Sequence, residues 1–181
     1  MTDTALILVD IQNDYFPSGA WPVAQMEEAA ANAARLLTAA RSHGDLVVHV
    51  RHEASAQAPF FRPGTPGAEL RTTVQPTPDE AVIVKHRPNS FQGTGLLALL
   101  QNRNIKQITI CGAQSQMCID ATTRAAADYG FRVTVIDDAC AAKEATFNGQ
   151  DVPAAMVHAA FMAPLAMSYA KVITTDTYLT T

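Results

Sequence analysis

Short apolar runs with almost no polar interruption recur along this chain, and they restrict its fold more than any other feature. Ala5-Leu6-Ile7-Leu8-Val9, Leu46 to Val50, Ala81-Val82-Ile83-Val84, Ile108-Thr109-Ile110-Cys111, Phe131 to Ile136 and Lys171-Val172-Ile173-Thr174 all have strand length and β-branched content. Continuous rather than alternating hydrophobicity marks strands covered on both faces, as in parallel sheets sandwiched by helices. Helical stretches separate the runs. Between Val23 and His43, apolar residues fall at 26, 29, 30, 33, 36, 37 and 40, and Gly44 follows as a stop. Leu96 to Leu100 and an alanine-rich run ending at Gly130 are helical in character. So is Val152 to Ser168, where Pro164 is expected to kink or split the helix. Strand and helix thus alternate, which predicts an α/β fold in three layers, αβα. Its sheet is doubly wound and mostly parallel, with about six strands and right-handed crossovers.

With 181 residues, 48% of them hydrophobic, the chain can fill one core, and no linker or repeat divides it, so a single domain over 1–181 is expected. The formal charge of −4 and scattered basic residues argue against a nucleic-acid or anionic-membrane partner. Met1 to Leu8 lacks a basic region, and no apolar run approaches the roughly 20 residues of a membrane span. Three cysteines, at 111, 118 and 140, have no metal-like spacing and suit free thiols in a reducing, cytoplasmic setting. A small-molecule substrate is the expected partner.

In a parallel sheet the carboxyl ends of all strands share one edge, where ligands bind. Asp10 ends the first run, Lys85 ends the third, and Cys118 opens the helix after Ile108–Cys111. A helix N-terminus favours a thiolate, so the Cys118 thiol is expected below its usual pKa of about 8.5. A carboxylate is a proton acceptor for the thiol, and an ammonium favours the thiolate. Each residue also has an ordinary reading: Asp10 as a turn cap, Lys85 as a solvated surface group, Cys118 as packing. Their coincidence at one edge carries the chemical reading. Cys111, mid-strand, and Cys140, in a loop after Asp137-Asp138, read as structural. Gln12, Phe16, Trp21, His52, Phe60, Phe61, Asn89, Phe91, Gln114, Met117 and Phe147 fall near the same edge as a substrate surround, although the aromatic ones also suit loop packing or a dimer contact. Ala54 to Asp79, rich in proline and glycine, reads as a long functional loop or a subunit contact.

Asp10-Ile11-Gln12-Asn13-Asp14-Tyr15-Phe16 resembles the Asp-x-Gln-Asn-Asp-Phe signature of the isochorismatase-like cysteine hydrolases. The resemblance continues through Phe61 to Leu70 and Val84 to Phe91. It is strongest at Gly112 to Cys118, and it reaches Gly130 and Asp137-Asp138-Ala139. It implies a Rossmann-like αβα fold and an Asp-Lys-Cys catalytic set, here Asp10, Lys85 and Cys118. It implies a cis peptide at Ala113–Gln114 and an oxyanion site made by the backbone N–H groups of Gln114 and Cys118. It also implies a dimer or tetramer, with Ala54–Asp79 and the Pro164 region as candidate contacts. Members that hydrolyse nicotinamide carry a metal-binding Asp-x-His where this chain has Arg51-His52-Glu53-Ala54, so neither metal nor cofactor is expected. His52 and Glu53 read instead as a hydrogen-bonded pair fixing the pocket wall. Isochorismate-cleaving members commonly lack the cysteine, so Cys118 favours hydrolysis of a C–N bond in a small amide, ureide or carbamoyl compound through a thioester. The alternatives are vinyl-ether C–O hydrolysis and a non-catalytic binder on the same fold. A dinucleotide-binding enzyme is disfavoured because no Gly-x-Gly-x-x-Gly follows the first run.

Overall fold

A computed structural model of the chain describes residues 2–180. In chain order the elements are β1 (Thr4–Val9), α1 (Met26–His43), β2 (Leu46–His52), β3 (Ala81–Lys85), α2 (Leu96–Asn102), β4 (Gln107–Ala113), α3 (Asp120–Asp128) and β5 (Arg132–Ala141). They continue with β6 (Ala145–Phe147), β7 (Gln150–Val152), α4 (Ala154–Ser168), β8 (Lys171–Ile173) and α5 (Thr175–Leu179). Six strands form one parallel sheet in the order β3-β2-β1-β4-β5-β8. The expected three-layer α/β architecture is therefore present.

The run Ala5 to Val9 is apolar throughout because both of its faces are covered. Leu6 and Leu8 pack with Ala33, Leu36, Leu37 and Ala40 of α1. Ala5, Ile7 and Val9 point the other way, toward Leu96 and Leu100 of α2, Ala126 of α3, and Met162 and Leu165 of α4. Side chains alternate across a strand, so both faces need apolar residues, and each buried Leu or Ile contributes about 1.5–3 kcal/mol. Gly44 closes α1 in the left-handed region, at φ 72°, with its N–H and that of Asp45 donating to Ala40 O. None of the described helices is long and apolar enough to cross a membrane.

Several local expectations give way to tertiary context. β5 runs past Ile136 through Asp137-Asp138 to Ala141, because Gly112 and Ala113 pair with Cys140 and Ala141 after a register shift. Cys140 is therefore a buried strand residue and not a loop residue. Residues after Lys143 form the small antiparallel hairpin β6–β7. Pro164 lies inside an unsplit α4, whose Val157, Met162 and Leu165 are buried, so packing outweighs the missing N–H donor. Residues 54–79 are not a structureless loop. They hold 3-10 turns at Pro66–Ala68 and Thr72–Val74, and Leu70 bridges to Gln12. Thr174 is the N-cap of α5 and not part of the last strand.

A polar cluster ties the exposed Arg41 of α1 to the partly buried Glu80 before β3 and the buried His49 of β2. Arg41 Nε and an Arg41 terminal nitrogen donate to the two Glu80 oxygens at 2.7 and 2.8 Å, and His49 Nε2 lies 3.0 Å from Oε2. The Arg41 hydrogen bonds, helped by Thr77 N–H and His49, pull the Glu80 carboxyl from 4.5 down to about 2 against the effect of burial. A depressed folded-state pKa gives stability that is complete above 4.5 and is lost as the pH falls toward about 2. Glu80→Gln is therefore expected to destabilise the protein near neutral pH by at most about 3 kcal/mol, less where solvent screens Arg41. Urea titrations across the acid range check this: the variant loses the part of the acid limb that Glu80 supplies.

Candidate active site

The strand order reverses between β1 and β4, and the crevice outside their carboxyl ends holds the reactive side chains. Asp10 follows β1 directly. Its φ of 53° lies in the left-handed region, which Asp tolerates better than most residues, and its N–H donates to Val50 O at 2.9 Å. Cys118 lies in a π-helical turn, Ser115–Ile119, between β4 and α3. Lys85 ends β3, two strand spacings or roughly 10 Å from β1, so only a long side chain can cross β2 to reach Asp10. It does so past His52, its register partner on β2.

Lys85 Nζ is the hub. It lies 2.7 Å from Asp10 Oδ2, donates to Cys118 Sγ at 3.2 Å and meets His52 Nδ1 at 3.0 Å. Asp10, Lys85 and Cys118 are all buried. Burial opposes the charge on Lys85, but Asp10 and Cys118 outweigh it and raise the ammonium's pKa. The Cys118 thiol moves the other way from the expectation. Burial first, then the Asp10 carboxylate, push its pKa up, and Lys85 offsets only part of this. The thiol is thus shielded from solvent and close to an acidic side chain, with the Lys85 ammonium as its cationic neighbour. Apart from the ion pair with Lys85, no well-aligned hydrogen bond satisfies either Asp10 oxygen among the described residues.

Carboxylate, imidazole and thiol ligand atoms of Asp10, His52 and Cys118 all lie within 4.8 Å of one another, a spacing that could hold a metal ion. The Lys85 ammonium, in contact with all three, already stands among them.

Above the hub is a cavity of about 320 Å³ lined by Tyr15, Trp21, His52, Phe60, Pro88, Gln114, Met117 and Cys118. That is the low end for ligand pockets. Trp21 and Phe60 stack with ring centroids 4.9 Å apart. The structure thus gathers Trp21, His52, Phe60, Gln114 and Met117 from the expected surround. Other residues of that surround do not line this cavity. Gln12 is buried and spends its amide on His52 N–H, His52 O and Ala68 O. Phe16 lies beneath the Arg71 guanidinium, 4.1 Å from its ring centroid. Phe61 is buried between Tyr15 and Phe60. Asn89 accepts from Phe91 N–H, and Phe91 packs with Tyr129 on the other face of the sheet. Phe147 is exposed on β6. Glu53 bonds Arg51 and not His52, at 2.6 Å.

Tyr15 and Pro88 were missed as wall residues, although Tyr15 stands within the Asp-x-Gln-Asn-Asp stretch and Pro88 within the loop after Lys85. Asp14 was missed as a builder of the wall. It accepts from Phe61 N–H at 2.6 Å and from Ala20 N–H at 3.1 Å, holding Phe61 in the left-handed region at φ 53°. A β-carbon at Gly67 would fall 2.1 Å from its Oδ1. Gly112, at φ 126°, lets β4 approach β1 where a β-carbon would meet Val9 O at 2.0 Å. The Ala113–Gln114 peptide bond that follows is cis. The Gln114 N–H donates to no acceptor among the described residues.

A family model described as Isochorismatase domain matches residues 4–177. The uncharacterized isochorismatase family protein YddQ of Bacillus subtilis is 47% identical over 177 residues, covering 97% of this chain and 98% of that protein. Streptothricin hydrolase of Streptomyces noursei is 39% identical over 151 residues, 83% of this chain and 51% of that protein. A crystal structure from Oleispira antarctica, assigned to the isochorismatase hydrolases, matches with a TM-score of 0.96. Its identity is 47%, over 98% of this chain and 96% of that one.

Proposed function

This chain belongs to the isochorismatase family, and we propose that within it the protein is a cysteine hydrolase that cleaves a C–N bond of a small amide, ureide or carbamoyl compound through a thioester on Cys118. The observation that carries this reading is the buried contact of one ammonium with both a carboxylate and a thiol at the floor of a small cavity. A relative that is a ureidoacrylate amidohydrolase, RutB of Variovorax paradoxus, 25% identical over 174 residues, supports it.

Cys118 gives its proton to Asp10 as sulfur attacks the carbonyl carbon, forming the C–S bond. The carbonyl oxygen gains charge where the free Gln114 N–H and the Cys118 N–H would meet it. The C–N bond then breaks, and Asp10 returns the proton to the leaving nitrogen. Water enters, Asp10 takes one of its protons, and the hydroxyl attacks the thioester carbon. The C–S bond breaks, and the thiol regains the proton from Asp10. Lys85 stays an ammonium throughout and keeps the carboxylate charged between transfers. The aromatic walls of Trp21 and Phe60 leave room for one small planar or apolar substituent.

The test is ammonia release from a panel of primary amides, ureides and carbamoyl compounds, with and without a metal chelator. Release from at least one compound, unaffected by chelator, is expected. The reading fails if no compound yields ammonia and iodoacetamide labels Cys118 no faster than Cys111 and Cys140. Cys111 provides an inert internal reference, because it is wholly buried in the middle of β4 and does not border the cavity that exposes Cys118. Loss of activity with chelator that added metal restores would overturn the metal-free mechanism.

A further inference from the structure

An ammonium has three N–H bonds and no lone pair, so every group it contacts must accept. Around Lys85 Nζ those groups are the Asp10 carboxylate, Cys118 sulfur and His52 Nδ1. His52 Nδ1 is therefore the unprotonated nitrogen of a neutral imidazole, and the single ring proton sits on Nε2. Burial, then Lys85, hold His52 below its ordinary pKa; Asp10 pulls the other way, and His86 adds to the lowering. The ring cannot turn freely. Gln12 grips the His52 backbone on both sides, accepting from its N–H at 2.8 Å and donating to its carbonyl at 2.9 Å. The ring also packs 6.0 Å from that of Phe61. His52 lines the cavity, and no hydrogen bond within the described residues takes Nε2.

We propose that His52 is a fixed neutral donor that selects substrates bearing a second hydrogen-bond acceptor beside the scissile carbonyl, such as an adjacent carbonyl oxygen. This rests on the C–N hydrolase reading and names its substrate class more closely. One His52 ring nitrogen lies within 4.8 Å of the Cys118 sulfur, and both side chains line the same small cavity, so an acceptor held by Nε2 shares that cavity with the carbonyl under attack. The donor is uncharged, which suits a neutral carbonyl as well as a carboxylate. Gln12 is a positioning residue that acts through His52.

Two measurements test it. The first needs no substrate. Long-range proton–nitrogen correlation spectra of histidine-labelled protein, with the His52 signals assigned by His52→Gln, report the tautomer near neutral pH. A proton on Nε2 alone is expected, whereas a proton on Nδ1, or an imidazolium, overturns the proposal. The second compares pyruvamide with its near-isostere propionamide, which lacks the adjacent carbonyl. Wild type is expected to prefer pyruvamide in kcat/KM. His52→Phe should reduce that preference about tenfold, and His52→Gln, which keeps an N–H donor, should restore part of it. Equal losses for both amides would mark His52 as structural and overturn the selective role. If neither amide is turned over but other amides are, the stated substrate class is wrong. If no amide of any kind is turned over, the C–N reading itself fails, and the tautomer result still decides the state of His52.

Discussion

Cys118→Ala is expected to lower ammonia release by about 10⁴-fold or more while leaving the fold intact. The sulfur is the one atom that bonds to carbon in the proposed chemistry, and nothing else in the cavity can replace it. The change removes little volume from a residue that already borders a cavity, so urea midpoints should move little. Cys118→Ser makes the result specific. Its hydroxyl is a much weaker acid than the thiol, and Asp10 is the sole carboxylate in the hub, so it too should fall close to the alanine variant. Activity surviving in the alanine variant would place the nucleophile elsewhere.

Lys85→Met should be costly in two separate ways. It leaves the Asp10 carboxylate buried without its cation, and breaking a buried pair from one side typically costs about 3–5 kcal/mol. It also removes the positive charge that partly offsets the upward push on the Cys118 thiol. Turnover is expected to fall about 10³-fold and iodoacetamide labelling of Cys118 to slow. Urea denaturation near neutral pH and amide kinetics measure the two effects independently. The stability loss should shrink in an Asp10→Asn, Lys85→Met double variant, because no unpaired anion is then left in the interior. Equal losses in the single and double variants would mean that Lys85 does not serve Asp10.

The sheet was legible because its strands need apolar residues on both faces, which wrote continuous runs into the sequence. The reactive set was legible for a related reason: Asp10 and Lys85 stand where such runs stop, and Cys118 stands where a helix begins. Features set by distant neighbours were not legible. The strand character of Asp137-Asp138 depends on Gly112 and Ala113 pairing with Cys140 and Ala141. Whether a loop aromatic faces the cavity depends on which side of it another residue claims. Arg71 takes Phe16, Tyr129 takes Phe91, and Trp21 and Phe60 are left to form the wall. The helix N-terminus pointed to a lowered thiol pKa, yet burial and Asp10 reverse the sign. Local sequence carries the helix end but not the depth at which it is buried. Asp14 has the plainest polar side chain in its loop, but its work, holding Phe61 in place through a backbone N–H 47 residues away, is visible only in three dimensions.

The most direct test of the proposed chemistry is peptide mass mapping of wild type quenched during turnover of the best amide in the panel, with hydroxylamine added in parallel. The predicted result is a Cys118 adduct equal in mass to the substrate less ammonia, lost on hydroxylamine treatment with formation of the hydroxamate. An adduct on Cys111 or Cys140, or ammonia release by Cys118→Ala at the wild-type rate, would contradict the thioester mechanism.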